Sequence, residues 1–376
     1  MILLSGPNVS GNEWKYVKEC LDTAWVSSVG AYVDKFERMV ADFAGTKYGV
    51  ATSNGTSALH IALELVGVKR NDYVIAPNVT FIATVNSICY TKARPLLMDI
   101  DPKTWQMDLD LLATFLENDT YIKGDYSYLK ANNRRIPVIM PVHVLGNMGD
   151  MDKLIAIAEK HKLTIVEDST EALGSYYKGK HAGSFGKIGT FSFNGNKIIT
   201  TGGGGVIVTD DEALAKKAKH LTTQAKCDPF EYLHDEVGYN YRLVNVLAAM
   251  GVAQMEQLPK FIDRKHQIDA FYKKELRGLG DITFQSVRED VNPNCWMFTF
   301  KTEKQKELLK ILNERKMQSR PFWVPMNQLK MFKKDLYVTQ DDKSNQVYST
   351  CLSIPCSTYI TDEEMAAICE TIKSIF

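Results

Sequence analysis

An acidic cluster follows an apolar run in the middle of the chain. Residues 165–171 read IVEDSTE, with three carboxyl groups within five residues. Ligands of open α/β sheets bind at the carboxyl ends of strands, and a carboxylate there needs a partner or a shifted pKa. The pattern indicates a functional acid, and a bare surface turn is the alternative.

A single lysine stands between a strand-like run and a glycine tract. Lys197 follows TFSFNGN and precedes IITT and the four glycines at 202–205. In a tight, partly desolvated pocket such a lysine loses its proton and becomes an imine-forming amine. A surface lysine beside a hairpin is the other interpretation.

Small and hydroxylated residues precede the apolar helix pattern ALHIALEL. The stretch 53–58 reads SNGTSA and follows the strand-like run YGVAT. Backbone amides at a helix N-terminus bind anions, and Thr and Ser hydroxyls add donors, so this stretch predicts a phosphate cradle. A capped helix start without a ligand remains equally compatible.

Two further motifs are weaker. GSYYKGK at 174–180 matches the first seven positions of a P-loop, but His181 stands where Ser or Thr should hold magnesium, so we expect a β-hairpin. His143, in PVHVLGN, has no partners at metal-ligand spacing, and we expect no metal site. A substrate hydrogen bond and a core role both stay open for His143.

Alternating elements must position these groups. Short apolar runs recur between about residues 47 and 210, separated by helical patterns, which predicts an α/β layer structure. From about Asn245 to Gly280 the pattern is helical, with a kink or break expected at Pro259. Strand-like runs and two amphipathic helices follow. We therefore predict a large domain over 1–255, including an N-terminal substrate segment, and a small α+β domain over 256–376.

Composition excludes several classes. The 376 residues carry 45 Lys+Arg and 45 Asp+Glu, so no basic surface points to nucleic acid as the main partner. No apolar run approaches about 18 residues, and the start lacks the features of a signal peptide. The seven cysteines are scattered and never spaced as CxxC. A cytoplasmic protein without membrane association is expected.

Taken in order, several motifs resemble the DegT/DnrJ/EryC1/StrS family of sugar aminotransferases. These motifs are SNGTSALHIAL, PNVTFIATVNSI, MDIDPKTWQMD, PVHVLGN, VEDSTEALGS, GTFSFNGNKIITTGGGG and GYNYRLVNVLAAMGVAQMEQL. The resemblance implies the fold of type I pyridoxal 5′-phosphate (PLP) enzymes, with a mixed, mostly parallel sheet in the large domain. The opening residues and FNGNKIITTGGGG are most similar to 4-aminotransferases of legionaminic acid and bacillosamine-type pathways.

The resemblance also implies roles for particular residues. Lys197 matches the lysine that binds PLP and then moves protons, and Asp168 matches the acid that pairs with the pyridine nitrogen. The other implied cofactor contacts are Gly55, Thr56, Ser57 and Ser192 at the phosphate, Phe81 against the ring face, and Asn240 reaching the phosphate from a neighbouring subunit. For Phe81 a core position at a strand end is the rival interpretation.

One position departs from the commonest family pattern. The third residue after the pyridine-binding aspartate is often His or Gln, whereas this chain has Glu171. A carboxyl group near the phenolic oxygen of PLP would be protonated or would face elsewhere. We include Glu171 among the cofactor contacts.

The implied activity is transfer of an amino group from glutamate to a 4-keto-6-deoxy nucleotide sugar, UDP-linked N-acetylhexosamine in the narrower group. Such products enter surface-polysaccharide or nonulosonate biosynthesis, and the enzyme would be a homodimer with shared sites. Candidate substrate contacts are Trp25, Ser27, His143 and Lys226. Two alternatives are a PLP-dependent sugar dehydratase, in which relatives replace the lysine with His, and a non-catalytic PLP or nucleotide-sugar binding protein.

Overall fold

The computed structural model of the chain describes residues 1–228 and 230–376. These residues form eleven α-helices: α1 Glu13–Asp22, α2 Ala31–Ala44, α3 Gly55–Leu65, α4 Ala83–Tyr90, α5 Leu109–Asp119, α6 Met151–Lys160, α7 Glu212–Thr222, α8 Asn245–Leu276, α9 Gln305–Glu314, α10 Lys343–Thr350 and α11 Asp362–Lys373.

The strands confirm the apolar runs predicted from the sequence. They are β1 Tyr48–Thr52, β2 Tyr73–Pro77, β3 Arg94–Met98, β4 Thr120–Lys123, β5 Tyr126–Leu129, β6 Arg135–Ile136, β7 Val138–Ile139, β8 Thr164–Asp168, β9 Tyr176–Tyr177, β10 Lys180–His181, β11 Ile188–Ser192, β12 Gly205–Thr209, β13 Thr283–Phe284, β14 Val291–Asn292, β15 Thr299–Lys301, β16 Arg320–Pro321, β17 Leu336–Val338 and β18 Cys351–Ser353.

The largest sheet has eight strands in the order β1-β12-β11-β8-β7-β2-β3-β17. The six strands from β11 to β17 run parallel, and β12 is antiparallel to both β11 and β1. The α/β fold with a mixed, mostly parallel sheet is therefore confirmed. Parallel strands bring their carboxyl ends to one edge, where the ends of β8 and β11 carry Asp168 and Ser192.

Local side-chain caps fix where several helices begin. The Asn54 side chain accepts from the Ser57 amide at the start of α3, and Asp150 does the same for Lys153 in α6. Thr361 and Glu364 form a reciprocal capping box at α11. Each cap contributes about 1 kcal/mol. The cap at α3 fixes the point within the phosphate-cradle stretch at which the helix begins.

Of the kink or break expected at Pro259, the break does not occur, and the kink stays a prediction. The helix α8 continues through this proline for 32 residues. An interior proline costs a helix about 3 kcal/mol. Leu258 and Phe261, on either side of it, are both buried, so packing of α8 offsets this cost. The N-terminal half of α8 packs against α1 and α2.

Residues after 255 contribute to three sheets, one of which is the three-stranded sheet β10-β9-β14. A four-stranded sheet of order β13-β15-β18-β16 packs with α9 and α11 around its own apolar cluster. The strand β17, in contrast, pairs in parallel with β3 at the edge of the large sheet. The division at 255/256 stays a prediction.

Two smaller features complete the fold. The stretch 174–180 forms the expected hairpin, in which β9 and β10 pair antiparallel. Among the described residues, no helix combines the length and apolarity that crossing a bilayer requires.

Candidate active site

A cavity of about 380 Å³ opens at the carboxyl edge of the large sheet. The start of α3, the approach to α4, the ends of β8 and β11, and two tryptophans from beyond residue 255 surround it. The polar and aromatic lining residues are Asn54, Thr56, Thr80, Phe81, Thr84, Asp168, Thr170, Glu171, Ser192, Asn194, Asn196, Lys197, Trp296 and Trp323. The acidic cluster, the lysine and the phosphate-cradle stretch thus meet in one cavity.

Asp168 is the last residue of β8 and is almost fully buried. The Thr84 hydroxyl donates to its Oδ2 at 2.7 Å, and the Thr170 hydroxyl donates to its Oδ1 at the same distance. The Thr170 amide adds a 3.2 Å bond to Oδ1. Each carboxylate oxygen therefore accepts at least one hydrogen bond, which fixes the orientation of the carboxylate.

Lys197 follows the turn after β11, and its amine lies inside the cavity. Its Nζ is 4.0 Å from the centre of the Trp296 ring and 3.9 Å from Oε1 of Glu171. Burial lowers the pKa of Lys197, while the charges of Glu171 and Asp168 oppose that shift. The lowered pKa increases the fraction of neutral, nucleophilic amine near neutral pH.

Glu171 lines the same cavity, beside Lys197. Burial raises the pKa of Glu171 to about 7, against smaller lowering effects of the Lys197 charge and of the Leu145 amide, which donates to Oε2 at 2.8 Å. The side chain is only 2% exposed. At neutral pH this carboxyl therefore exchanges readily between its protonated and ionised forms.

The N-terminus of α3 forms another side of the cavity. Gly55 and Thr56 line it, and their amides precede the first intrahelical bond, from Ala58 to the Asn54 carbonyl. A Cβ at Gly55 would lie 2.8 Å from Cβ of Ser192 and 3.1 Å from its Oγ, so only glycine leaves this concave surface open. Ser57 sits behind it, buried, with its amide bonded to Asn54 Oδ1.

Phe81 stands at the mouth of the cavity. The Phe81 side chain is 54% exposed and lines the cavity. It is therefore not a core residue, which was the alternative interpretation. Its predicted stacking on the ring of PLP stays a prediction.

Several other predicted residues lie away from this cavity within the part of the chain that the structure describes. Trp25, Ser27 and Asn240 are exposed, and the backbone of Trp25 and Ser27 is tied to Asn245. Lys226 lies over the Tyr232 ring, 4.4 Å from its centre.

His143 is buried behind the cavity. Its Nε2 is 2.9 Å from Oε2 of Glu167, which also accepts from the amides of Gly183, Phe185 and Gly186. Burial opposes ionisation of Glu167, but these bonds hold its pKa below the usual value. One ring nitrogen of His143 thus has a partner within the protein, and its role as a substrate contact stays a prediction.

Several lining residues were not predicted from the sequence, and five of them support or cover the groups described above. Thr84 and Thr170 orient Asp168, Asn54 caps α3, and Trp296 and Trp323 cover the lysine side. Asn54 and Thr170 adjoin the recognised motifs and could have been found as a helix cap and a hydroxyl beside the acid. The tryptophans come from distant segments and carry no local signal.

One group of side chains has metal-ligand geometry in the described ranges, formed by His220, Asp235 and Glu236. It lies near the end of α7, outside the cavity lining. Lys217 forms an ion pair with Glu236, so a cation of the protein already neutralises part of its charge.

Comparison with known proteins identifies the family and the fold. The sequence profile of the DegT/DnrJ/EryC1/StrS aminotransferase family matches residues 7–373. The chain belongs to this family. Among DegT/DnrJ/EryC1/StrS relatives, GDP-perosamine synthase from Escherichia coli O157:H7 is 37% identical over 373 residues, covering 98% of this chain and 97% of the relative.

Two solved structures align with this chain over nearly its whole length. Sugar aminotransferase CalS13 from Micromonospora echinospora aligns with a TM-score of 0.88 at 25% identity, over 100% of both chains. DesI, solved in the presence of its TDP-sugar product, aligns with a TM-score of 0.87 at 25% identity, over 99% of this chain and 92% of DesI. The chain is a PLP-dependent aminotransferase of nucleotide sugars.

Proposed function

We propose that this chain holds PLP between Asp168 and Lys197 and transfers an amino group from glutamate to a 4-keto-6-deoxy nucleotide sugar. The observation that carries the proposal is the meeting of a doubly hydrogen-bonded carboxylate and a desolvated lysine in one cavity. When bound, PLP supplies an electron-accepting ring and an aldehyde carbon that takes up the amino group.

Asp168 would hold the pyridine nitrogen. A carboxylate beside that nitrogen keeps it protonated, and the cationic ring then accepts electron density from the substrate. Thr84 and Thr170 fix both oxygens, so Asp168 would present one geometry to the ring.

The phosphate would lie at the N-terminus of α3. The amides of Gly55 and Thr56 and the hydroxyl of Ser192 converge on the concave surface that Gly55 keeps open. A helix N-terminus favours an anion through both its free amides and its dipole. Ser57 supports this turn from behind through its bond to Asn54.

Lys197 would bind the cofactor covalently and, once released, carry the proton between the substrate carbon and the cofactor. Burial lowers the pKa of its amine, which prepares it for both roles. Glu171, 3.9 Å away, can take up or release a proton near neutral pH, consistent with a position at the polar edge of the ring.

Two nucleotides compete as the carrier of the sugar. The resemblance within the family points to a UDP-linked N-acetylhexosamine in surface-polysaccharide or nonulosonate biosynthesis. The relative named GDP-perosamine synthase supports a GDP-linked sugar as the second candidate. Both candidates require the same cofactor chemistry, so they differ only in the acceptor.

We also propose a homodimer with shared sites. Asn240 is exposed and follows a stretch of chain with exposed apolar side chains, among them Tyr232 at 81% and Val237 at 83% exposure. A second copy would cover such side chains and bring Asn240 to the phosphate of the neighbouring site. Trp25, Ser27 and Lys226 would then be substrate contacts completed by the partner, and His143 would be a further substrate contact.

The visible absorption spectrum of the PLP-loaded protein tests the first half of the reaction. L-glutamate should convert the PLP band to that of the pyridoxamine form, and Lys197→Ala should lack covalently bound cofactor. Lys330→Ala removes an exposed lysine outside the cavity and should behave as the parental protein. An unchanged parental spectrum would reject glutamate as donor, and absence of a bound cofactor would reject the proposal.

Mass spectrometry of reaction mixtures tests the second half. UDP-, GDP- and dTDP-linked 4-ketosugars should separate the two acceptor candidates by glutamate-dependent formation of one aminosugar. Release of ammonia with a deoxysugar product would instead favour the dehydratase alternative. Binding of cofactor and sugar with neither product would favour the non-catalytic alternative.

A further inference from the structure

A second cavity adjoins the one that contains Lys197. It has a volume of about 300 Å³ and shares Asn196, Met297 and Trp323 with the first cavity. The other lining residues are Leu4, Leu145, Arg320, Pro321, Phe322 and Ser353. The two spaces are thus neighbouring parts of one larger site.

Arg320 is the charged residue of this second cavity, and no acidic residue lines it. Its Nη1 donates to the Ser319 carbonyl at 3.0 Å, and the ion pairs formed within residues 1–228 and 230–376 do not include it. A guanidinium has five N–H donors, so most of them remain available to a ligand.

The backbone of Arg320 is fixed even though its side chain is exposed. Arg320 and Pro321 form β16, which pairs with Ser353 and Leu352 of β18. Phe322, the next residue, is buried and packs on Trp105, with ring centres 5.5 Å apart. The guanidinium therefore extends from a rigid strand at a fixed position beside the Lys197 cavity.

We propose that Arg320 binds an anionic oxygen group of a substrate whose reacting carbon lies near Lys197. The inference rests on the proposed function, because both substrates named there are anions. Glutamate offers carboxylates and the nucleotide sugar offers a diphosphate, and a guanidinium binds either through paired hydrogen bonds. In a two-step transfer the donor's product leaves before the acceptor binds, so one residue can serve both in turn.

Calorimetric binding to the PLP-loaded protein separates the two sources. The probes are glutarate, a dicarboxylate without an amino group, and the nucleotides UDP and GDP. Arg320→Gln should raise the dissociation constant of at least one probe roughly 10- to 100-fold, as expected for loss of a charged hydrogen-bond partner. Arg320→Lys, which keeps the charge without the fork, should recover part of the loss.

The matched control is Arg277→Gln, which makes the same change at an exposed residue lining neither cavity. A loss confined to glutarate assigns the residue to the donor, and a loss confined to UDP or GDP assigns it to the acceptor. A loss with both supports alternate use. Equal binding of all probes by the two glutamine variants, or no binding to the parental protein, overturns the proposal.

Steady-state kinetics provides a second readout. Arg320→Gln should raise KM for the affected substrate more than it lowers kcat, which a general loss of structure would not do. Suppose that glutamate converts the cofactor of the parental protein, but Arg320→Gln binds glutarate, UDP and GDP as the parental protein does. The subsite proposal then fails and the proposed function stands. If Arg320→Gln abolishes probe binding but no amino transfer occurs in the parental protein, the proposed function fails alone.

Discussion

The Thr84 hydroxyl donates a 2.7 Å hydrogen bond to Oδ2 of Asp168, although 84 residues separate them in the chain. Thr84 lies in the first turn of α4, and its own oxygen is 2.7 Å from the Thr80 hydroxyl. Asp168, in contrast, is the last residue of strand β8 in the large sheet. Packing of α4 against the sheet therefore sets the orientation of the acid that we assign to the cofactor ring.

Replacing Thr84 by Val should weaken PLP binding and slow turnover, because it removes one of the two hydroxyl donors to Asp168. A hydrogen bond to a charged group contributes about 1.5–3 kcal/mol. Thr84→Ser keeps the hydroxyl and serves as control. The measurements are kcat/KM and the dissociation constant of PLP, and equal values for the Val and Ser variants would contradict the assignment.

Asp168→Asn should retain much of the cofactor binding and lose most of the rate. The amide fills the same space but cannot keep the pyridine nitrogen protonated. Loss of one electrostatic stabiliser of a transition state typically lowers kcat by about 100- to 1,000-fold. Single-turnover conversion of bound PLP by glutamate measures this, and near-parental turnover would show that Asp168 does not act on the ring.

Glu171 should make the stability of the PLP-free protein depend on pH. Its pKa is about 7 in the folded chain against 4.5 ordinarily, so between these values the folded protein holds a proton that the unfolded chain has released. The free energy of unfolding therefore falls as pH rises through this window, by up to about 3 kcal/mol. Glu171→Gln keeps an acceptor for the Leu145 amide and should lack this decline.

Urea unfolding of the parental protein and of the Glu171→Gln variant at about pH 5 and about pH 8 would test this. The unfolding free energy of Glu171→Gln minus that of the parental protein should be larger at about pH 8 than at about pH 5. An identical pH dependence would mean that Glu171 is ionised throughout this range.

Mixed dimers should reveal whether Asn240 serves the neighbouring site. Lys197→Ala and Asn240→Asp are each expected to be inactive, the second because it places a negative charge at the phosphate. In a mixed dimer with shared sites, one site carries both defects and the other carries neither, so activity returns. If Asn240 serves its own chain, every site of the mixed dimer is defective and no activity appears.

Much of the fold followed from local patterns in the sequence. Apolar runs such as residues 164–168 and 205–209 correspond to buried strands because burial on both faces demands continuous apolar sequence. At Pro259 the local pattern predicted a break that the structure does not have. There, packing of the buried neighbours along α8 outweighs the local cost of a proline. Tertiary packing decided that element, and no local pattern reports it.

The candidate site divides in the same way. Asp168, Lys197 and the α3 start were recognisable because each combines a chemical group with a strand end or a helix start. Trp296 and Trp323 were not recognisable from the sequence. They follow Lys197 by more than 90 residues, and only the tertiary fold brings them to the cavity. For His143 the structure adds a buried carboxylate beside one ring nitrogen, a contact that no local pattern indicated, and its contact with substrate stays a prediction.

The strand β17 has a consequence for engineering this enzyme. It covers most of β3, whose four last residues are buried, so this edge of the sheet ends in a strand of three residues. Long unpaired edges invite aggregation, whereas short ones do not. A chimera that exchanged everything after residue 255 would also exchange this edge protection, so grafts between relatives should keep residues 336–338 with the sheet they cover.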